Sequence, residues 1–249
     1  MVKRLIIRKN EMRQLVPQMY GICLNQFILF IRSISVVVPL KVSMLIHKIG
    51  PHNTDIISII FGSLLGEGKA EKGKPGSGTK ISFYQEGATP KVKYILFLHK
   101  FLSDKGYCNS KMPVVTRRLG DKGRILKVVR FSTWTYNSFN WIYDMWYENK
   151  IKRVPKCIGQ YLTPLVLAIW IMNKGSKVGT GLKITMNTIT YKDCLLLVKA
   201  LKENYNLNTS VQLAGAKDQY VIYICKESMV DVRKIVQPYI IPEMKYKII

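Results

Sequence analysis

Ile60-Phe-Gly-Ser-Leu-Leu-Gly-Glu-Gly68 closes one apolar run of this chain, and Leu167-Ala-Ile-Trp-Ile-Met-Asn-Lys-Gly175 closes a second, 107 residues further on. In the first copy a small residue, Gly62, is followed by Gly66 and by an acid, Glu67, just before Gly68. In the second, Ala168 and Gly175 are small, Asn173 and Lys174 precede the final glycine, and no acid is present. Small side chains on one helix face let two helix backbones approach closely. The two stretches therefore read as a pair of helices packed on each other.

The surroundings of the two runs repeat in the same order. Thr54 and Asp55 are competent caps for an apolar helix from Asp55 to Leu65. A Gly/Lys-rich segment from Gly66 to Thr79 precedes an alternating strand, Lys80 to Gln85. Pro90 opens a second helix through Val92, Ile95, Leu96, Leu98 and Leu102. A hairpin follows, Pro113 to Leu119 and Arg124 to Ser132, and an aromatic helix from Ser138 to Tyr147 ends the pass. In the second pass Pro164 to Met172 is helical, Gly175 to Gly181 is again Gly/Lys-rich, and Leu182 to Asn187 is a strand. An amphipathic helix from Tyr191 to Tyr205, a strand pair at Ser210 to Leu213 and Gln219 to Cys225, and a last helix from Ser228 to Val236 complete it. A period this long rules out a solenoid and suits a duplicated αββαββα half, an α+β architecture.

On these residues the chain resembles the LAGLIDADG family of organellar, group I intron-encoded homing endonucleases and maturases, in its single-chain, two-motif form. The similarity continues through Gly106-Tyr-Cys-Asn109, Phe139-Asn-Trp-Ile142, Lys152-Arg-Val-Pro155 and Ile241-Pro-Glu-Met-Lys-Tyr-Lys247, and covers residues 53–249. It implies two pseudo-symmetric halves, 53–152 and 153–249, joined through the paired motif helices beneath a saddle of antiparallel sheets. Residues 1–52 are then a basic N-terminal extension, and the protein is a monomer with an internal pseudo-two-fold.

The resemblance also implies a site. In the family each motif helix delivers an acid to the saddle floor, and two such carboxylates hold divalent metal that activates water. Here Glu67 can still bind Mg²⁺, but Lys174 stands at the second acid position, and an ammonium offers a cation no lone pair. The expected outcome is a weakened metal site and loss of double-strand cutting. The family's basic residues near the reacting phosphate carry over to Lys152 and Lys247. Strand and loop residues supply the grip on nucleic acid: Lys69, Lys72, Lys74, Lys80, Arg117, Arg118, Arg124, Lys127 and Arg130 in the first half. Lys177, Lys183, Gln212, Lys217 and Gln219 are their counterparts in the second. Trp134, Trp141, Trp146 and Trp170 are candidate stacking platforms, although Trp141 and Trp170 lie at helical spacing in apolar faces and read as core.

Composition agrees with a polyanion partner. Thirty-nine Lys and Arg against fifteen Asp and Glu leave a formal charge of +24, while 48% hydrophobic residues suffice for a large core. Five dispersed cysteines and three histidines form neither a disulfide framework nor a zinc-ligand spacing. The first fifty residues hold eight Lys or Arg and one acid, Glu11, with no clean run of about 20 apolar residues. They suit a mitochondrial presequence, a read-through remnant or a basic arm on RNA. Taken together, the sequence points to a mitochondrial maturase-like factor that binds intron RNA and has lost double-strand cleavage. Two other readings stay open: an active endonuclease or nickase on double-stranded DNA, and a structural RNA-binding component of an organellar ribonucleoprotein such as the mitoribosome.

Overall fold

Helix α1 (Thr54–Leu64) and helix α2 (Thr89–Asp104) belong to the first pass, and helix α5 (Pro164–Lys174) is the second motif helix. The computed structural model describes residues 52–87, 89–119, 123, 125–186, 189–215 and 218–249, and these belong to one compact unit. The expected extension, apart from His52, lies outside the described residues. The Asn53 side chain accepts the Asp55 N–H at 2.8 Å, so the cap of α1 sits one residue ahead of the expected Thr54–Asp55 pair. The Thr163 hydroxyl accepts the Val166 N–H at 3.2 Å, and Pro164 then supplies a preset first turn to α5.

The two motif helices lie side by side in register. Ser58 Oγ and Thr163 Oγ1 share a hydrogen bond at 2.9 Å near their N-termini. One turn on, a Cβ at Gly62 would lie 2.7 Å from Ile169 Cβ and 2.9 Å from the Val166 carbonyl oxygen. At the C-terminal end a Cβ at Gly66 would lie 2.4 Å from Asn173 Oδ1. Both copies were expected to contribute small residues. At these two contacts the glycines come from the first motif, Gly62 within α1 and Gly66 two residues beyond it, and the larger Ile169 and Asn173 of α5 fill the space they leave. Ile56, Ile59, Ile60, Phe61 and Leu64 of α1, and Val166 through Met172 of α5, are 1% exposed or less. Each large side chain buried there contributes about 1.5–3 kcal/mol.

A four-stranded antiparallel sheet follows each motif helix. The first contains β1 (Lys69–Lys72), β2 (Thr79–Gly87), β3 (Thr116–Leu119) and β4 (Ile125–Ser132) in the order β1-β2-β4-β3. The second contains β7 (Gly175–Val178), β8 (Gly181–Met186), β9 (Thr209–Leu213) and β10 (Tyr220–Ile224) in the matching order β7-β8-β10-β9. Helices α2 and α6 (Tyr191–Tyr205) cover one face of their sheets and leave the other open. β1 and β7 lie inside the two segments expected to be Gly/Lys-rich loops. They form because their backbones pair with β2 and β8, which Lys-Ala-Glu-Lys and Gly-Ser-Lys-Val do not announce by alternation.

Between the halves, α3 (Asn140–Trp146) leads into a small hairpin, β5 (Tyr147–Glu148) and β6 (Ile151–Lys152), and then into the short α4 (Ile158–Tyr161). After α7 (Met229–Val236) the chain ends in two 3₁₀ turns, Gln237–Tyr239 and Pro242–Lys247. Trp146 and Trp170 are fully buried, as expected of Trp170. Trp141 is not core: it is 38% exposed, with its ring 6.0 Å from Phe61 and 6.1 Å from Tyr161. Among the described residues no helix is long and apolar enough to cross a membrane.

The seam between α1 and α5 sets a sharp test. Gly62→Ala places a methyl where Ile169 and backbone already stand, and overpacking of this kind costs about 1–3 kcal/mol. Urea unfolding should show the midpoint falling for Gly62→Ala and falling further for Gly62→Val, with no loss at the glycine Gly76, whose Cβ would meet nothing, beyond its positive-φ strain.

Candidate functional site

The C-terminal ends of α1 and α5 meet at the floor between the sheets. Asn173 Oδ1 accepts the Glu67 N–H at 3.1 Å, which ties the end of one motif to the end of the other. Beside it the Lys174 ammonium pairs directly with the Glu67 carboxylate. Lys174 is mostly withdrawn from solvent while Glu67 stays partly exposed. Asn173 had been read only as a lost acid; the structure gives it the task of holding the Glu67 backbone in place.

Two further lysines close the floor from either side. Lys152 Nζ donates to the carbonyl oxygens of Gly66 (3.3 Å) and Gly68 (2.8 Å), just past α1. Lys247 Nζ donates to those of Ile171 (3.4 Å) and Met172 (2.6 Å) in the last turn of α5. Lys247 thus caps the C-terminus of α5 and Lys152 holds the turn that follows α1, where helix-end carbonyls gather negative charge. Burial pushes Lys152 down to about 7, with Glu67 opposing and Lys174 and Lys69 adding to the shift. Burial likewise pushes Lys247 down to about 8, helped by Lys91.

The hollow above this floor, about 530 Å³, is lined by Lys91, Lys174, Lys177 and Lys247 with Glu67 as its one acid. Gln85 reaches it from the covered face of β2, is 5% exposed, and has no protein partner for its Oε1. This donor set does not fit a divalent cation. One carboxylate remains, it is already paired with an ammonium, and among the described residues no group of three His, Cys, Asp or Glu could hold a metal. Four lysines fit a phosphate. Lys91 and Gln85 were not singled out from sequence; Gln85 could have been, as a polar residue at an inward position of an alternating strand.

Pairing register sorts the remaining predicted contacts by face. On the first sheet Lys69, Lys80, Arg118 and Arg130 share the open face with Glu71, Tyr84 and Glu86. Lys80 pairs with Glu71 at 3.0 Å, and Arg118 Nε donates to Glu86 at 2.8 Å. The Tyr84 hydroxyl donates to Glu86, and the Arg130 guanidinium lies 5.0 Å over the Tyr84 ring. The hydrogen bond from Lys80 holds Glu71 below the usual carboxylate range, and those from Tyr84 and then Arg118 do the same for Glu86. On the second sheet Lys183 and Gln212 share the open face with Ser176, Thr185, Ser210 and Tyr223.

Other predicted contacts are placed elsewhere. Lys72 is held by Asp144 of α3 at 2.6 Å, and Lys127 reaches Thr89 Oγ1 at 3.4 Å, so both turn toward the helix layer. Arg117 pairs with Lys127 and shares that side, and Lys177 falls on the covered side of β7 but reaches the floor hollow. Lys74 is exposed and Gln219 half-buried in connections, and Arg124 and Lys217 lie outside the described residues.

The buried lysines predict a pH response. A lysine with a depressed folded pKa binds fewer protons folded than unfolded, so stability rises with pH above the folded value. From about pH 7 to about 8.5, below the range where the buried thiols Cys108 and Cys194 act in the opposite sense, unfolding free energy should rise. Urea titrations should give a slope approaching roughly 1 kcal/mol per pH unit, and Lys152→Met should flatten most of it.

The chain is 48% identical over 209 residues to cytochrome b mRNA maturase bI2 of Saccharomyces cerevisiae, covering 81% of this chain and 49% of that protein. It is 43% identical over 198 residues to cytochrome b mRNA maturase bI2 of Debaryomyces hansenii, covering 80% and 75% respectively. It therefore spans about half the length of the S. cerevisiae relative. Among solved structures, the homing endonuclease I-WcaI bound to its DNA recognition sequence shares the fold, with a TM-score of 0.71 at 22% identity over 87% of this chain and 96% of that one. The LAGLIDADG DNA endonuclease family pattern matches residues 57–232, and with its two motif helices, twin sheets and shared floor the chain belongs to that family.

Proposed function

We propose that this chain is a maturase-type factor of the mitochondrion that binds RNA of a group I intron through its open sheet faces and lysine-lined floor, and does not cut both strands of DNA. The observation that carries this reading is the Lys174–Glu67 ion pair. The ammonium neutralises the one remaining acid from within the chain, so the floor is closed to Mg²⁺ and open to a phosphate. The similarity to two cytochrome b mRNA maturases supports the RNA side of the reading. The division of labour follows residues 53–152 and 153–249, each half offering one open face.

Such a protein needs no chemistry to assist splicing. A partner that binds the folded intron more tightly than its misfolded forms shifts the population toward the folded one by that difference in affinity. On the floor, Lys91, Lys174, Lys177 and Lys247 hold a backbone phosphate. Lys174 also keeps Glu67 from repelling it.

Incubation with uninterrupted target DNA and Mg²⁺ should give no linear product; efficient double-strand cleavage would overturn the reading. Lys174→Asp restores a second acid beside Glu67, and gain of cleavage or nicking by that variant would show that Lys174 is the lesion. Binding to host intron RNA, ribosomal RNA and duplex DNA at matched salt should favour the intron RNA. Affinity should fall by about 10³ or more between about 50 and 200 mM salt if six or more phosphates are neutralised. A flat salt response would contradict a polyanion partner.

A further inference from the structure

We propose that the hollow at the end of the first sheet, walled by Trp134, Phe131, Met112 and Val114 and rimmed by Lys111 and Arg130, receives one unpaired base of a bound RNA. The proposal rests on the RNA-binding reading and extends it to a site with a different chemistry from the phosphate floor. The hollow has a volume of about 400 Å³, within the range of sites that enclose small flat ligands. None of the described residues lining it is acidic.

Trp134 differs from the other three tryptophans. Trp146 and Trp170 are fully buried, and Trp141 rests against Phe61 and Tyr161. Trp134 is 45% exposed, and among the described residues no other ring packs on it within stacking distance. Its backbone is nevertheless fixed: the Trp134 N–H donates to the Tyr107 carbonyl at 2.8 Å, and the Thr133 hydroxyl donates to the Trp134 carbonyl at 2.8 Å. The indole is thus presented from a rigid strand end. Met112 and Val114, both about 70% exposed, leave apolar surface facing the same hollow. A flat apolar group joined to an anion matches such walls and such a rim.

The hollow is continuous with the proposed interface. Arg130, Phe131 and Ser132 line it and also line the neighbouring hollow, about 520 Å³, that begins at Glu67 and Lys69. A backbone laid from the motif-helix ends across the first open face therefore arrives at Trp134. RNA is the occupant this favours. The major groove of A-form RNA is too deep and narrow for side chains to read, so proteins recognise RNA through splayed bases stacked on aromatic rings. Duplex DNA offers no unpaired base to fill the site.

The test uses an RNA hairpin with a single unpaired 2-aminopurine, the same hairpin fully paired, and the bulged hairpin as DNA. Wild type should bind the bulged RNA roughly tenfold or more tighter than the paired RNA, with quenching of the 2-aminopurine emission. Trp134→Ala should abolish that preference and the quenching while leaving affinity for the paired hairpin unchanged; Trp134→Phe should keep most of both. Lys111→Ala, at an exposed position, should weaken the bulged RNA several-fold and serves if Trp134→Ala melts early. Equal binding of the bulged RNA by wild type and Trp134→Ala would overturn the site, as would an equal loss on the paired hairpin. Equal binding of the bulged DNA would overturn its assignment to RNA. Intron RNA binding that survives Trp134→Ala undiminished would remove this site and leave the maturase reading standing.

Discussion

The close approach of α1 and α5 is the constraint on which the rest of the structure depends. Gly62 and Gly66 have no room for a Cβ, because Ile169 and Asn173 already occupy it. Close-packed interiors transmit such contacts rigidly, so the helix register is fixed over its whole length. The same offset that seats Ile169 on Gly62 and Asn173 on Gly66 brings residue 67 beside residue 174. The floor is therefore made by the packing of the two halves, and each half alone has only part of it.

Once the helix ends meet, their charge must be satisfied. Two helix C-termini side by side concentrate carbonyl oxygens and partial negative charge. Lys152 and Lys247 answer this in parallel, Lys152 donating to two carbonyls just past α1 and Lys247 to two in the last turn of α5, although one arrives from the inter-half hairpin and the other from the C-terminal 3₁₀ turn. Lys174 adds a third ammonium, which is tolerable because Glu67 remains to pair with it. A buried cation without such a partner would cost several kcal/mol. Glu67 thus serves in this structure as the counter-ion of Lys174.

Much of this was legible in the sequence, and the failures share a cause. Helix α6 falls on the expected residues because its apolar spacing, its Thr190 cap and the left-handed Asn206 that ends it are all local signals. The motif helices were visible for the same reason. β1 and β7, which the αββαββα order implies, could not be placed on particular residues because Lys69–Lys72 and Gly175–Val178 show no alternation and are strands only by virtue of a long-range partner. Asn173 and Lys174 were read by what they lack as acids; that they engage Glu67 required the three-dimensional register. Trp141 shows the limit of helical spacing as a guide, since a short helix can leave one flank of its stripe in solvent. Lys72 and Lys127 show the limit of charge counting: the sign of a side chain does not say which face of the sheet it occupies, and strand parity decides that.

Parity also separates the two open faces in a way that net charge conceals. On the first, Arg118, Glu86, Tyr84 and Arg130 form one connected set, and Lys80 is paired with Glu71. Exposed pairs like these add little stability, but they limit the rotamers of the cations they hold. An arginine oriented in advance loses less freedom when it meets a ligand. Its partner acid sets a cost as well, because an incoming phosphate must compete with Glu86 for Arg118. On the second face Lys183, Gln212, Ser210, Thr185 and Tyr223 stand among the described residues without an acid beside them. A phosphate meets no competitor there. The first face is accordingly suited to contacts that depend on geometry, the second to contacts that depend on charge. Neither face draws on the Glu67 carboxylate, which is paired with Lys174 on the floor.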